Sequence, residues 1–163
     1  MMGEQEFVET FGGIVEHSAF IAERAFQAGV LEPVDAQTVG DALVTALRHA
    51  SLEEQLQILN AHPDLAGRLA LAGDLTADSK DEQASAGLDR LTQEELATFT
   101  ALNDTYRATF GFPFIIAVKG LTKEEILEAF QRRVENTYEE EFETALREVE
   151  RIVAIRLKGL FEA

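Results

Sequence analysis

The chain contains no cysteine and no tryptophan, and it has only three prolines among its 163 residues. The absence of cysteine excludes disulfide bonds, thiolate nucleophiles and zinc sites with cysteine ligands. Hydrophobic residues nevertheless make up 46% of the chain, and this composition excludes a disordered or fibrous protein. A chain of this length fits one folded domain, which we assign to residues 1–163.

Positive charge is also scarce, because 14 lysine and arginine residues face 30 aspartate and glutamate residues, which gives a net charge of −16. Such an acidic chain is a poor ligand for nucleic acid or for an anionic membrane. No apolar run approaches the roughly 20 residues of a membrane-spanning helix, and the polar residues 3–6 do not resemble a signal peptide. We therefore expect a cytoplasmic protein that binds neither nucleic acid nor membrane.

Apolar residues recur at helical spacing through most of the chain, as at Val39, Leu43 and Leu47. Ser/Thr-x-x-Glu patterns, which are typical of helix starts, begin at Ser51, Ser79, Thr92 and Thr122. Strand-length runs of β-branched residues are missing except near residues 114–118, so an all-α fold is favoured over alternating strands and helices. About eight helices are predicted, near residues 5–10, 18–28, 36–50, 52–61, 80–90, 93–109, 123–135 and 137–158, with Gly29, Gly111 and Gly159 near C-terminal ends.

One segment does not suit a helix: residues 110–118, with the sequence FGFPFIIAV, contain a glycine and a proline within an aromatic and β-branched run. Such a segment can simply fill the core. Because its backbone N–H and C=O groups lack helix partners, it can also line a pocket for a ureide or purine-type ring. The residues that would form this wall are Phe114, Ile115, Ile116, Ala117 and Val118.

His62 and the following Pro63 are the first candidates for chemistry, because the proline ends the preceding helix and the imidazole then projects from a defined corner. A histidine there can equally be structural, since the helix dipole favours its charged form. Glu82 can have a purely structural role, in a capping box with Ser79. It can also combine this role with orienting the His62 ring. A metal site of His62, Asp64 and Glu82 lacks a recognisable ligand spacing, so no metal is expected.

Arg156 falls on the apolar stripe of the last predicted helix, among Val149, Val153 and Leu160. A guanidinium group in that position needs an anionic partner. The partner can be a structural acid, or Arg156 can be a forked donor to a carboxylate or carbonyl of a substrate. Both interpretations remain open from the residues alone.

The motifs occur together in a specific order: FGG at 11–13, EHS at 16–18, HPDLAG at 62–67, Ser79-x-x-Glu82-Gln83, AGL at 86–88, Asn103-x-x-Tyr106, FGFPFI at 110–115, Arg132-Arg133 and Arg156-Leu157. In this combination the chain resembles the 2-oxo-4-hydroxy-4-carboxy-5-ureidoimidazoline (OHCU) decarboxylase family over nearly its whole length. The resemblance implies an all-helical, cofactor-free lyase that converts OHCU to (S)-allantoin and carbon dioxide in urate degradation. It also implies a homodimer.

Within this resemblance, His62 matches the catalytic histidine of the family, Glu82 its carboxylate partner and Arg156 the substrate-facing arginine. The substrate-contacting positions are matched by Pro63, Ser79, Gln83 and residues 114–118. Two other functions remain as alternatives: a non-enzymatic helical interaction protein, in which Arg156 belongs to a buried ion pair, and a lyase that acts on a related ureide ring.

Overall fold

The computed structural model describes residues 2–29 and 31–162, and all regular structure in these ranges is helical. The nine helices found there are α1 (Glu4–Phe11), α2 (Phe20–Gln27), α3 (Ala36–His49), α4 (Leu52–Asn60), α5 (Arg68–Ala72), α6 (Ala77–Ser85), α7 (Gln93–Phe110), α8 (Lys123–Arg133) and α9 (Tyr138–Glu162). The predicted all-α class is confirmed. Within the described ranges, no helix is long and apolar enough to cross a membrane.

The described residues form two compact units. Unit 1 lies within Met1–His62 and Val149–Ala163, and unit 2 comprises Pro63–Glu148. His62 and Arg156 belong to unit 1, whereas Glu82 and the wall residues 114–118 belong to unit 2. The assignment of residues 1–163 to one domain stays a prediction.

Unit 1 has a core of aliphatic and aromatic side chains. Helix α1 packs on α2, and α2 packs on α3. Ser51 and Glu54 form the predicted capping box at the start of α4, which fixes where this helix begins. The helix ends at Asn60, so His62 lies just beyond its C-cap, Ala61, as the His-Pro pair predicts. The fully buried side chains of unit 1 include Phe7, Phe11, Ile21, Leu43, Leu47, Ile58 and Leu59.

Unit 2 has an aromatic core, in which the Phe114 ring stacks on the Phe130 ring with centroids 3.9 Å apart. The predicted capping boxes at Thr92 and Thr122 begin α7 and α8. Helix α7 ends at Phe110 because Gly111 adopts a left-handed conformation with φ +79°, which costs a glycine little. The chain therefore leaves α7 and enters the wall segment at the predicted position.

Two predicted helix limits are wrong, and one helix is missing from the prediction. Helix α6 begins at Ala77, because the hydroxyl of Thr76 rather than Ser79 caps it and accepts the N–H of Ser79. Helix α9 does not stop at Gly159 but continues to Glu162, and its last turn is held by Phe161, whose ring stacks 5.9 Å from that of Phe11. Helix α5 was not predicted, because five residues are too few to show an apolar period.

A buried polar cluster in unit 2 surrounds Glu141, which is fully buried. Its carboxylate accepts hydrogen bonds from the Tyr106 hydroxyl at 2.5 Å, Arg133 Nε at 2.9 Å and Asn136 Nδ2 at 2.9 Å. Burial, together with the bond to Glu141, raises the pKa of Tyr106 far above its usual value, so the hydroxyl stays a donor. A buried carboxylate is stable only with such partners.

We expect Tyr106→Phe to lower the free energy of unfolding by about 1.5–3 kcal/mol, because Glu141 then loses a charge-assisted hydrogen bond in a buried place. Urea denaturation followed by circular dichroism measures the change. The matched control is Tyr138→Phe, since Tyr138 is 41% exposed, and its effect should stay within about 0.5 kcal/mol. Equal effects of the two variants would contradict this role of the Glu141 cluster.

Candidate active site

His62 is a buried histidine of unit 1, with only 6% of its surface exposed. Its backbone N–H donates to the carbonyl of Leu59, and its Nδ1 lies 2.9 Å from the carbonyl oxygen of Ile58. Because a carbonyl oxygen can only accept, Nδ1 carries the proton in this hydrogen bond. In the neutral ring, Nε2 therefore presents a lone pair.

The protonation of His62 is set mainly by burial, which lowers its pKa to about 4. The hydrogen bond to Ile58 and the negative charge of Glu16 oppose this shift, whereas the electrostatic effects of Arg156 and His17 add to it. At neutral pH the imidazole is therefore uncharged. A structural histidine held in its charged form by the helix dipole would behave in the opposite way.

Arg156 lies on α9 and is also buried, with a side chain only 4% exposed. Its Nη1 donates to the carbonyl of Ile14 at 3.2 Å and lies 3.2 Å from Oε1 of Glu16. The expected anionic partner of Arg156 is thus Glu16, whose side chain is 2% exposed. In the sequence, the feature that could have indicated Glu16 as this partner is its position in the EHS motif, directly after the apolar residues Ile14 and Val15.

In unit 2, Gln83 holds the loop that follows Pro63. Its Oε1 accepts the N–H of Ala66 at 2.9 Å, and its Nε2 donates to the carbonyl of Asp64 at 3.3 Å. Ala66 has an unfavourable φ of +51°, so these two hydrogen bonds support a strained turn. Gln83 therefore has a structural role, and its predicted contact with substrate stays a prediction.

The other predicted residues of this region lie on α6 and in the loop before α5. Ser79 is buried and Glu82 is half-buried, and both are in α6. The backbone carbonyl of Glu82 accepts the hydroxyl of Ser85. Because Thr76 caps the helix, Glu82 is not the third residue of α6 and does not form the predicted capping box with Ser79. Pro63 is half-buried.

The wall segment is non-helical over residues 111–118, whereas Phe110, which was predicted to belong to it, is the last residue of α7. Arg133 lies against it, since its guanidinium is 4.4 Å from the centre of the Phe114 ring and its Nη1 donates to the carbonyl of Ile115 at 2.8 Å. Glu148 Oε1 accepts the N–H of Ala117 at 2.9 Å. The Ala117 amide is therefore already used, and Ile116 is the half-exposed member of an otherwise buried wall.

In unit 1, Arg156 pairs with Glu16, and both residues exert electrostatic effects on His62. The sequence interpretation did not identify Glu16, Arg133 or Glu148 as side chains that hold the candidate site residues. Among the described residues, no group of three or more histidine, aspartate or glutamate side chains could hold a metal ion.

A separate cavity of about 420 Å³ in unit 1 is lined by α2 and α3, with Arg24 and His49 among its lining residues. It contains none of the predicted site residues. Arg24 is already paired there with Glu54. This cavity therefore supplies useful control positions for experiments on His62.

Comparison with known proteins identifies the family. A family model described as OHCU decarboxylase matches residues 1–158. The 2-oxo-4-hydroxy-4-carboxy-5-ureidoimidazoline decarboxylase of Haloferax volcanii is 43% identical over 162 residues, which cover 99% of this chain and 93% of that protein. The uric acid degradation bifunctional protein PucL of Bacillus subtilis is 40% identical over 160 residues, 98% of this chain and 31% of that protein.

The fold leads to the same group of proteins. A crystal structure of (S)-allantoin synthase superposes with a TM-score of 0.77 at 32% sequence identity, and the match covers 98% of this chain and 51% of that one. The sequence motifs, the helical fold and the full-length relatives agree. The chain therefore belongs to the OHCU decarboxylase family.

Proposed function

We propose that the chain decarboxylates OHCU to (S)-allantoin and carbon dioxide, as a step in urate degradation. The observation that carries this proposal is the family match over residues 1–158, together with relatives of similar length that are named for this activity. Membership of the family makes the chain a carboxy-lyase. Its ligand is accordingly a small, anionic ureide.

The chemistry of OHCU suits a protein that contributes only side chains and backbone. When the bond from C4 to the carboxylate breaks, the electron pair moves towards C5 and onto the ring nitrogen of the adjacent C=N bond, which takes up a proton. Loss of the 4-hydroxyl proton and delivery of a proton to C5 then give the ketone and the stereocentre of allantoin. The protein must orient the carboxylate, stabilise the developing charge and control these proton transfers.

His62 is suited to the role of general base at the 4-hydroxyl group. Its Nδ1 proton is donated to Ile58, so the neutral ring offers the Nε2 lone pair to a ligand. Because the pKa of His62 is about 4, the ring is uncharged at neutral pH and its Nε2 lone pair is unprotonated. After it accepts the proton, the imidazolium is a strong acid and can return the proton in the step that forms the C5–H bond.

Arg156 is suited to hold the anionic part of the substrate. The chain carries a net charge of −16, so a local positive charge is needed to attract an anion. Charges beyond roughly 8 Å are largely screened at physiological salt, so the guanidinium, although it is paired with Glu16, is the cation that we assign to the substrate. Its planar fork also matches a carboxylate or carbonyl better than an ammonium group does.

The remaining residues carried over from the family are proposed to contact substrate from unit 2. In the wall, the N–H groups of Ile116 and Val118 are the candidates for binding ring or ureido carbonyls, because the N–H of Ala117 is already donated to Glu148. Glu82 is proposed as the carboxylate partner of His62. We expect Glu82→Gln to lower kcat, because the His62 ring would lose this partner.

The deciding experiment supplies OHCU by treating urate with urate oxidase and hydroxyisourate hydrolase, and then follows the circular dichroism of allantoin. We expect the purified chain to produce (S)-allantoin much faster than the slow, racemic background. A non-enzymatic interaction protein would leave the racemic background unchanged. A lyase for a related ring would also leave it unchanged but would decarboxylate a ring analogue.

A homodimer and a cytoplasmic location are further parts of the proposal. The family resemblance supports the homodimer, and the acidic composition supports a protein that is not bound to anionic membranes. Light scattering after size-exclusion chromatography tests the first, and cell fractionation tests the second.

A further inference from the structure

We propose that Glu16 is a positioning residue of the active site, which holds the Arg156 guanidinium in place and sets the electrostatic environment of His62. This inference rests on the proposed function, because that function gives His62 and Arg156 their catalytic roles. Glu16 is itself assigned no contact with substrate. It acts through the two neighbouring side chains of unit 1.

The first argument is the geometry of the pair. Glu16 and Arg156 have side chains only 2% and 4% exposed, and the carboxylate oxygen Oε1 lies 3.2 Å from Nη1. The same nitrogen donates to the carbonyl of Ile14, also at 3.2 Å. Two residues of one short segment thus hold one end of the guanidinium group. A buried arginine with these partners cannot change its orientation without losing both of them.

The second argument is the backbone that presents Glu16. The next residue, His17, has φ +50°, an unfavourable conformation for a residue with a side chain. The turn is fixed by Ser18, whose hydroxyl donates to the Glu16 carbonyl at 2.9 Å and whose N–H donates to the Val15 carbonyl at 3.0 Å. Strained backbone persists where the surroundings hold it in place, and it concentrates at functional sites. Here the strained residue directly follows Glu16, whose carboxylate pairs with the buried Arg156.

The third argument is the opposition of charges at His62. Among the groups that act on it, Glu16 raises its pKa, whereas Arg156 and His17 lower it. Arg156 is the cation that we assign to the anionic substrate, and Glu16 offsets its lowering of the His62 pKa. Without Glu16, the positive charge of Arg156 would lower the pKa of His62 further, and Nε2 would be a weaker base.

The test is Glu16→Gln, which keeps the size of the side chain and removes its charge. We expect kcat/KM for OHCU to fall about 10-fold to 100-fold, as for loss of a hydrogen bond to a charged group, with a lower kcat and a higher KM. The acid limb of the pH profile should move to lower pH. Side-chain ¹⁵N shifts of His62, followed from neutral pH to about pH 5, should show less protonation than in the wild type.

The matched control is Glu150→Gln. It removes the carboxylate of another ion pair in unit 1, in which Glu150 lies 2.6 Å from Arg48. We expect its kcat, its KM and its His62 shifts to match the wild type. The chain has only three histidines, so His62→Asn and His49→Asn assign the signals.

Loss of one member of a buried ion pair can also unfold a protein, so Glu16→Asp is the second variant. It keeps the charge but shortens the reach to Arg156, and we expect near-normal His62 shifts with a raised KM. The proposal is overturned if Glu16→Gln folds with wild-type kinetics and shifts, if its changes equal those of Glu150→Gln, or if neither Glu16 variant folds. If the wild type itself lacks activity, the proposed function fails, whereas the His62 shifts still test the positioning role.

Discussion

Replacing His62 with asparagine is expected to lower kcat for OHCU by ~10²- to 10⁴-fold, the usual contribution of a general acid or base. Asparagine is close in size and can still donate to the carbonyl of Ile58, but it cannot accept a proton as Nε2 does. The measurement is the initial rate of (S)-allantoin formation from OHCU generated in the assay.

The matched control for this variant is His49→Asn. His49 is the last residue of α3, is exposed and lines the separate cavity of unit 1. We expect it to retain wild-type turnover. A fully active His62→Asn enzyme would contradict the assignment of the general base, and a loss confined to His49→Asn would place the chemistry in the separate cavity of unit 1.

The same variant should change how stability depends on pH. An unfolded histidine titrates near pH 6.5, whereas burial holds the pKa of folded His62 near 4. Between these values the unfolded state binds a proton that the folded state does not. The free energy of unfolding therefore falls as the pH falls from about 6.5 to about 4, by on the order of 1–3 kcal/mol. Urea unfolding at neutral pH and about pH 5.5 should show a smaller fall for His62→Asn than for the wild type.

Replacing Arg156 with alanine is expected to lower kcat/KM by at least about 100-fold, because the substrate loses its buried cationic partner. Lys158 lies two residues further along α9 and is exposed, so Lys158→Ala should change kcat/KM less than about twofold. Steady-state kinetics of the two variants under identical conditions measures the contrast. Equal effects would contradict a role for Arg156 in binding the substrate.

The stability of the Arg156→Ala variant must be separated from its activity, because Glu16 would remain as a buried, unpaired carboxylate. Breaking such a pair typically costs about 3–5 kcal/mol. The double variant Glu16→Leu with Arg156→Met replaces both charges with apolar side chains, which is often neutral for stability. We expect it to regain the wild-type free energy of unfolding and to stay inactive. Recovery of activity together with stability would show that Arg156 is only structural.

Much of the helical fold could be predicted because helix ends depend on a few neighbouring residues. The boxes at Ser51, Thr92 and Thr122 each satisfy backbone N–H groups within one turn, and the structure has all three. Gly111 ends α7 for an equally local reason, its positive φ. The prediction at Ser79 was wrong because Thr76, three residues earlier, competes for the same role, and propensity does not choose between two adequate caps.

The sequence by itself determined the all-helical class, most helix starts, the non-helical wall and the need of Arg156 for an anionic partner. These follow from periodicity and from interactions within a few residues. Only the tertiary structure decided that the partner is Glu16, 140 positions away, and that burial keeps His62 neutral. It also separated Glu141, which is fully buried, from its exposed neighbours Glu139 and Glu140. The physical reason is that burial and long-range charge pairing depend on which segments meet, and a local pattern does not contain this information.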